Sequence, residues 1–150
     1  MSDPLRLDDS DRKILALLVQ DARRTYDDIG RAVALSAPAV KRRVDRMRRT
    51  GVLRGFTAVV DPVALGLGTE ALIELFYAPG IGLDAVRDSL LPHPEVVEAW
   101  SITGDADCAV RVRARDPQDL ERVIMALQRE ASVVRTRSQV ILSRLVDRRD

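Results

Sequence analysis

The short segment with the most chemical potential is the turn Gly104-Asp105-Ala106-Asp107. Glycine leaves backbone N–H groups accessible to a carboxylate, and an aspartate can bind an amino group. A small ligand that carries both charges close together would suit such a turn. Glycine and aspartate are also the default turn residues, so an ordinary hairpin turn is the alternative interpretation.

A second segment combines helical periodicity with a concentration of positive charge. Val40, Val44 and Met47 recur at helical spacing and predict the inward face of a helix that runs from Ala37 to about Thr50. Apart from Asp45, the charged positions of this helix are basic: Lys41, Arg42, Arg43, Arg46, Arg48 and Arg49. An arginine in the major groove can bind guanine through two hydrogen bonds. A solvated basic face on a surface helix is the alternative.

The residues before this helix predict the elements that would position it. Asp8 and Asp11 have the spacing of an N-terminal cap, and Thr25 and Asp28 repeat that spacing at a second helix. Ser36 is expected to cap the basic helix. Capped helices joined by short turns at this spacing predict a helix-turn-helix, whose last helix lies in the major groove of DNA.

Gly30 and the segment after Gly51 give two further expectations. Gly30 lies within the second predicted helix, where glycine costs roughly 1 kcal/mol relative to alanine, so we expect a crossing helix to approach it closely. From Gly51 to Val60, alternation and β-branched residues predict a strand that leaves the DNA-binding unit. Arg54 in this segment is placed to contact a phosphate.

The rest of the chain alternates between strand and helix patterns in the order β-α-β-β-α-β, which is the ferredoxin-like arrangement. Helices would cover one face of its sheet. The other face is expected to carry side chains too apolar to remain in water: Leu72, Leu75, Trp100 and Ile102. A second copy of the chain is the simplest cover.

The predicted fold class is therefore α+β, with three segments. A winged-type helix-turn-helix domain occupies residues 1–52, a connecting strand or linker residues 53–66, and a ferredoxin-like βαββαβ domain residues 67–150. Residues 1–66 contain 13 basic and 9 acidic side chains, whereas residues 67–150 contain 11 and 14. This asymmetry predicts a polyanionic partner at the N-terminal end.

Other function classes find little support in the sequence. Cys108 is the only cysteine, which excludes an internal disulfide, and it is interpreted as a small core residue. His93 stands between two prolines and is interpreted as a bystander. There is no zinc spacing and no phosphate-binding glycine loop, so we expect no enzyme activity, no metal and no cofactor. No signal pattern or run of about 20 apolar residues is present, and we expect a cytoplasmic protein without a membrane partner.

Three motifs resemble the Lrp/AsnC family of transcription regulators, also called leucine-responsive or feast/famine regulators. They are Leu7-Asp8-x-x-Asp11-x-x-Ile14-Leu15, Leu35-Ser36-x-x-x-Val40-x-x-Arg43-Val44 and Gly51-Val52-Leu53-x-Gly55-Phe56. Each is weakly specific, but their order and spacing together are strong, and the resemblance covers nearly the whole chain. The chain departs from the family at Ala34, where glycine is usual, and in the apolar start of the basic helix, Ala37-Pro38-Ala39.

The resemblance implies a regulator of double-stranded DNA that forms dimers, and in larger assemblies octamers, through its C-terminal domain. Its effector, usually an amino acid, would bind between dimers near the Gly-Asp turn, at Thr103, Gly104, Asp105 and Asp107, with Thr136 and Ser138 as lesser candidates. The predicted DNA-contacting residues are Ser36, Ala37, Pro38, Lys41, Arg42, Arg43, Asp45, Arg46, Arg49 and Arg54. The alternative function is an architectural protein that organises DNA on the nucleoid without an effector.

Overall fold

The computed structural model describes residues 7–146, so the outermost residues of both predicted domains lie outside it. The chain divides into two compact units, with the boundary between Val59 and Val60. This boundary falls inside the segment 53–66 that the sequence predicts to be a linker. Each unit has its own hydrophobic core, and each is described below by itself.

The first unit contains the three predicted helices, α1 (Asp9–Gln20), α2 (Tyr26–Val33) and α3 (Ala37–Arg49). Asp8 and Asp11 form a reciprocal capping box at the start of α1. The hydroxyl of Thr25 accepts a hydrogen bond from the N–H of Asp28 at the start of α2. The inward stripes of the helices meet in one core, which contains Ile14, Leu18, Ile29, Val40, Val44 and Met47.

The turn between α2 and α3 is tight, and two residues show how tight. Ala34 ends α2 with φ 56° and ψ 44°, and it is the only residue other than glycine with positive φ in the described part of the chain. A Cβ atom on Gly30 would lie 2.4 Å from the carbonyl oxygen of Leu35. Something does approach Gly30 closely, as predicted, but the approaching group is the backbone of the turn. The expected crossing helix contributes only the backbone N of Ala37, the first residue of α3, which would lie 3.6 Å from that Cβ.

The strand predicted between Gly51 and Val60 is absent. Residues 54–60 adopt no regular secondary structure, and a short 3₁₀ helix, Val63–Leu65, follows them. Alternating β-branched residues favour an extended chain, but a strand also requires a hydrogen-bonding neighbour. No other segment of residues 7–146 pairs with this one, and Val59 and Val60 remain exposed to solvent.

The second unit confirms the predicted βαββαβ order. It consists of β1 (Thr69–Tyr77), α4 (Leu83–Leu90), β2 (Val96–Ser101), β3 (Cys108–Ala114), α5 (Pro117–Gln128) and β4 (Val133–Ile141). The strands form one four-stranded antiparallel sheet in the order β2-β3-β1-β4. The crossover from β1 to β2 leaves room for β3 between them, which is the ferredoxin-like topology.

Side-chain alternation gives the sheet one face covered by helices and one open face. Leu75 belongs to the buried core with Leu127 of α5, so its predicted position on the open face was wrong, because residues two apart in a strand share a face and Leu75 follows Ile73. Leu72 lies on the open face, as predicted, and so does Trp100, whose side chain is 43% exposed. Ile102 lies just beyond the end of β2 and is also exposed.

Charged pairs separate the apolar side chains of this open face. Arg111 contacts Glu98 at 2.8 Å and lies over the ring of Trp100. The guanidinium of Arg137 binds Glu74. The open face is therefore a mixed surface of apolar side chains and ion pairs, unlike the uniformly apolar core on the helix side.

Candidate nucleic-acid interface and ligand turn

The outward face of α3 presents free cations. At about 100° per residue, Arg42 and Arg49 point away from the buried residues Val40 and Val44. Both side chains are exposed, and neither forms an ion pair with another described residue. Guanidinium groups in this position can bind a base edge or a phosphate without first breaking an internal contact.

Lys41 and Asp45 lie beside these arginines but bind each other. Their Nζ and Oδ2 atoms are 2.7 Å apart in an exposed pair that spans one helical turn. This hydrogen bond raises the pKa of Lys41 and lowers the pKa of Asp45. The pair therefore stays charged at neutral pH, and Asp45 restrains the direction of Lys41.

The C-terminal end of α3 adds a second group of cations that the sequence described incompletely. Arg48, Arg49 and Arg54 line a groove of about 490 Å³ together with Leu53 and one acidic residue, Asp45. The chain turns back after Gly51, because the N–H of Leu53 donates to the carbonyl of Met47, and this turn brings Arg54 to the helix end. Arg48 was absent from the predicted contact set, since periodicity within α3 gives no sign of that return.

Arg43 and Arg46 are placed differently from the other cations of α3. They lie on the side of the helix that faces α1, where Asp8 and Asp11 bind them. The pKa of Asp8 is lowered, first by the backbone N–H of Asp11 and then by Arg43, and the pKa of Arg43 is raised. The sequence marked both arginines as basic but gave no sign that α1 would engage them.

The start of α3 is apolar and open. Ser36 occupies the N-cap position, as predicted, but its side chain makes no capping hydrogen bond. Pro38 in the first turn removes an N–H that would have no helical partner. Ser36 and Pro38 border a shallow depression with Gly30 and Ala34 of the preceding turn. The first turn of α3 itself offers a hydroxyl group and apolar contacts, while the charges beside the depression, Asp27 and Arg31, belong to α2.

The predicted ligand turn joins β2 to β3. Gly104 adopts φ 118°, a conformation that favours glycine, and Thr103 and Asp105 beside it are exposed. The carboxylate of Asp107 accepts a hydrogen bond of 2.8 Å from the N–H of Tyr77. The backbone N–H of Asp107 donates to the carbonyl of Leu75. Asp107 therefore anchors the turn to the end of β1.

The structure does not bring Thr136 and Ser138 to this turn. Both residues lie on β4, opposite Leu75 and Ile73 of β1, so their side chains are on the helix-covered side of the sheet. The hydroxyl of Thr136 accepts a hydrogen bond of 2.8 Å from Gln128. Two strand spacings, roughly 10 Å, separate β4 from β3, where the turn begins.

On the open side, Asp105 has a different neighbour. It lies close enough to Arg137 to help raise the pKa of that side chain, although the hydrogen bond with Glu74 contributes more. Asp105 is thus near a cation of the open face that Glu74 already binds.

Other reactive side chains suggest no further chemistry. Cys108 is buried, as predicted, and burial raises the pKa of its thiol. His93, interpreted as a bystander, is instead paired with Glu130 across 2.9 Å. Residues 7–146 contain no group of three or more His, Cys, Asp or Glu side chains that could hold a metal ion. Over the same range, no helix is both long and apolar enough to cross a membrane.

A helix-turn-helix with an outward cationic face, followed by a ferredoxin-like unit, is the architecture of a class of DNA-binding transcription regulators. Comparison with protein families agrees. Residues 7–48 match the AsnC-type helix-turn-helix domain, and residues 70–150 match the Lrp/AsnC ligand binding domain. The chain belongs to the Lrp/AsnC family.

Individual relatives cover nearly the whole chain. The HTH-type transcriptional regulator Rv2324 of Mycobacterium tuberculosis is 48% identical over 143 residues, which are 95% of this chain and 97% of that protein. The feast or famine regulatory protein Rv3291c of M. tuberculosis, solved with L-methionine, is 30% identical with a TM-score of 0.90, covering 97% of this chain and 98% of its own. The regulator NMB0573 of Neisseria meningitidis, also solved with L-methionine, is 26% identical with a TM-score of 0.86, over 95% and 94% of the two chains.

Proposed function

We propose that this protein recognises specific operator sequences and that an amino acid, bound to its C-terminal unit, changes its DNA affinity or its assembly. The observation that carries the proposal is the outward face of α3, where Arg42 and Arg49 are exposed and form no ion pair with another described residue. Binding to DNA costs these side chains no internal contact, which suits a recognition helix.

In this proposal, different parts of α3 contact different parts of the duplex. Arg42 reads a base edge, and the group formed by Arg48, Arg49 and Arg54 binds phosphates at the helix end. The apolar start, with Ser36, Ala37 and Pro38, approaches base edges, where such residues can contact a thymine methyl group. Lys41 and Asp45 lie at the edge of this contact surface, where their exposed ion pair can rearrange when DNA binds.

The proposed effector site is the turn formed by Thr103, Gly104 and Asp105. Backbone N–H groups around Gly104 would receive the carboxylate of an amino acid, and Asp105 its ammonium group. Asp107 holds the turn in place through Tyr77. Support comes from the two structural relatives that were solved with L-methionine. Thr136 and Ser138, on the helix-covered side of the sheet and two strand spacings from β3, have no assigned contact in this proposal.

The proposed assembly is a dimer that covers the open sheet face, with octamers as a larger form. The mixture of Leu72, Trp100 and ion pairs on this face suits an interface between two copies of the chain, because the same face is exposed to water in the free monomer. A dimer would present two α3 helices to half-sites about 34 Å apart. Such a protein would act in the cytoplasm, on the nucleoid.

The test is fluorescence anisotropy with labelled DNA from upstream of the protein's own gene and with a scrambled duplex, in a salt series and with a panel of amino acids. We expect preference for the upstream duplex and a change in its affinity with one amino acid. Asp105→Ala should abolish that response while leaving DNA binding without the amino acid intact. Unchanged calorimetric affinity of the Asp105→Ala variant for the amino acid would remove Asp105 from the site.

The same assay addresses the alternative function. Equal binding to both duplexes, with no effect of any amino acid, would favour an architectural protein that organises DNA without an effector. The apolar start of α3 is the feature that fits this alternative, because it offers few hydrogen bonds to base edges.

A further inference from the structure

Asp11 is a fully buried carboxylate at the junction of α1 and α3. Its Oδ1 atom accepts a hydrogen bond of 2.9 Å from Arg43, and its Oδ2 atom accepts one of 2.5 Å from Arg46. Oδ2 also accepts the N–H of Asp8 in the capping box. Both oxygens of this single carboxylate are therefore occupied, and two of the groups bound to them are cations of α3.

Asp8 completes a neutral cluster with these three residues. Its Oδ2 atom lies 2.6 Å from Nη1 of Arg43, so two carboxylates face two guanidinium groups. Arg43 and Arg46 keep 28% and 41% of their side-chain surface exposed. They are reachable from solvent, but their charges are balanced within the protein.

The arginines of α3 thus fall into two groups. Arg43 and Arg46 are held by Asp11, whereas Arg42, Arg48 and Arg49 form no ion pair with another described residue. A phosphate that drew Arg43 or Arg46 away would take a cation from the buried carboxylate of Asp11, and the charge that each guanidinium offers to a phosphate is already offset by that carboxylate. Nonspecific affinity grows with the number of cations that neutralise phosphates, so withholding two of them reduces binding to any sequence.

We propose that Asp11 limits the electrostatic affinity of the protein for DNA, and for nonspecific DNA above all, by withholding Arg43 and Arg46 from DNA phosphates. This inference rests on the DNA-binding function proposed above and assigns Asp11, a residue of α1, a positioning role. It also changes the role of Arg43 and Arg46, which the sequence analysis placed among the DNA contacts.

The test compares Asp11→Asn with Asp9→Asn in the full chain. Asp9 lies in the first turn of α1, is exposed and forms no ion pair with a described residue, so its substitution gives the same change in net charge. For Asp11→Asn, we expect affinity for a scrambled duplex to rise roughly five- to fifty-fold at 0.1 M salt. The slope of log K against log salt should steepen by about 1–2, whereas Asp9→Asn should leave it within experimental error.

A second set of variants assigns the gain to particular side chains. In the Asp11→Asn background, Arg43→Gln and Arg46→Gln together should return the salt slope to near the wild-type value. If Asp11→Asn does not fold, as judged by circular dichroism, the comparison is made in the otherwise wild-type chain. There, Arg43→Gln should flatten the slope by less than half as much as Arg49→Gln, which removes a proposed phosphate contact.

Three results would overturn the role of Asp11: an Asp11→Asn slope equal to that of Asp9→Asn, weaker binding of folded Asp11→Asn to both duplexes, or equal effects of Arg43→Gln and Arg49→Gln. None of these touches the proposed function, which fails separately if the wild-type protein shows no preference for its operator. The two failures are therefore distinguishable in one set of titrations.

Discussion

Replacing Ala34 by glycine should stabilise the helix-turn-helix unit. Ala34 is held at φ 56° at the end of α2, a left-handed conformation that costs an L-residue roughly 1–2 kcal/mol. Glycine adopts it without that cost but loses about 0.4–1 kcal/mol more than alanine through the entropy of the unfolded chain. The methyl group of Ala34 is exposed, so its removal sacrifices little packing.

The net expectation for Ala34→Gly is a gain of about 0.5–1 kcal/mol in the free energy of unfolding of this unit. For a small domain, that gain corresponds to a rise of roughly 2–8 °C in its melting temperature. Differential scanning calorimetry of the full chain would measure the transition. Hydrogen exchange at amides of α3, which packs on the same core, would assign the transition to this unit.

Ala32 provides the matched control, because it lies two residues earlier, within α2, and is also exposed. Ala32→Gly makes the same chemical change at a helical position, where glycine costs about 0.5–1 kcal/mol. The two variants should therefore shift stability in opposite directions. Loss of stability in Ala34→Gly comparable to that in Ala32→Gly would refute the argument that the turn is strained.

Two further substitutions test the turn and the recognition helix. Gly30→Ala should destabilise the same unit by about 1–3 kcal/mol, because its Cβ would meet the backbone oxygen of Leu35. Gly55→Ala is the control, because Gly55 has open space around it and its substitution should not cause this loss of stability in urea titrations. Equal losses in the two variants would contradict the steric argument. Arg42→Ala should cost about 1–3 kcal/mol on operator DNA and little on a scrambled duplex; anisotropy that shows equal losses on both would make Arg42 a phosphate contact instead of a base contact.

Much of the architecture could be predicted from the sequence because local signals and burial agree. The caps at Asp8 and Thr25 and the inward stripe of α3 mark the helices, and each is present in the structure. The strand order of the second unit follows from its βαββαβ pattern. Periodicity is reliable where one face of an element is buried and the other is not.

The errors occurred where the outcome depends on a partner that is distant in sequence. The pattern from Gly51 to Val60 resembles a strand, but only a neighbouring segment could make it one. Neighbouring residues of a strand face opposite sides of the sheet, so an error of one residue in the predicted alternation placed Leu75 on the open face when it belongs to the core.

The candidate site was predicted less completely than the fold. The sequence identified the basic character of α3 but could not separate Arg42 from Arg43, although they are adjacent, because the difference lies in where α1 packs. Similarly, Thr136 and Ser138 looked like neighbours of the Gly-Asp turn until the register of β4 placed them on the other side of the sheet. Composition identifies candidate residues, whereas packing decides which of them face a ligand.

The two hydrophobic cores have no residue in common, since one is drawn from α1 to α3 and the other from the sheet with α4 and α5. Free-energy changes caused by substitutions in separate cores add, because additivity fails only where residues share contacts. Mutations that retune the recognition helix therefore need no compensating change in the sheet core. Substitutions on the outward face of α3 can in consequence accumulate while the core of the second unit stays unchanged.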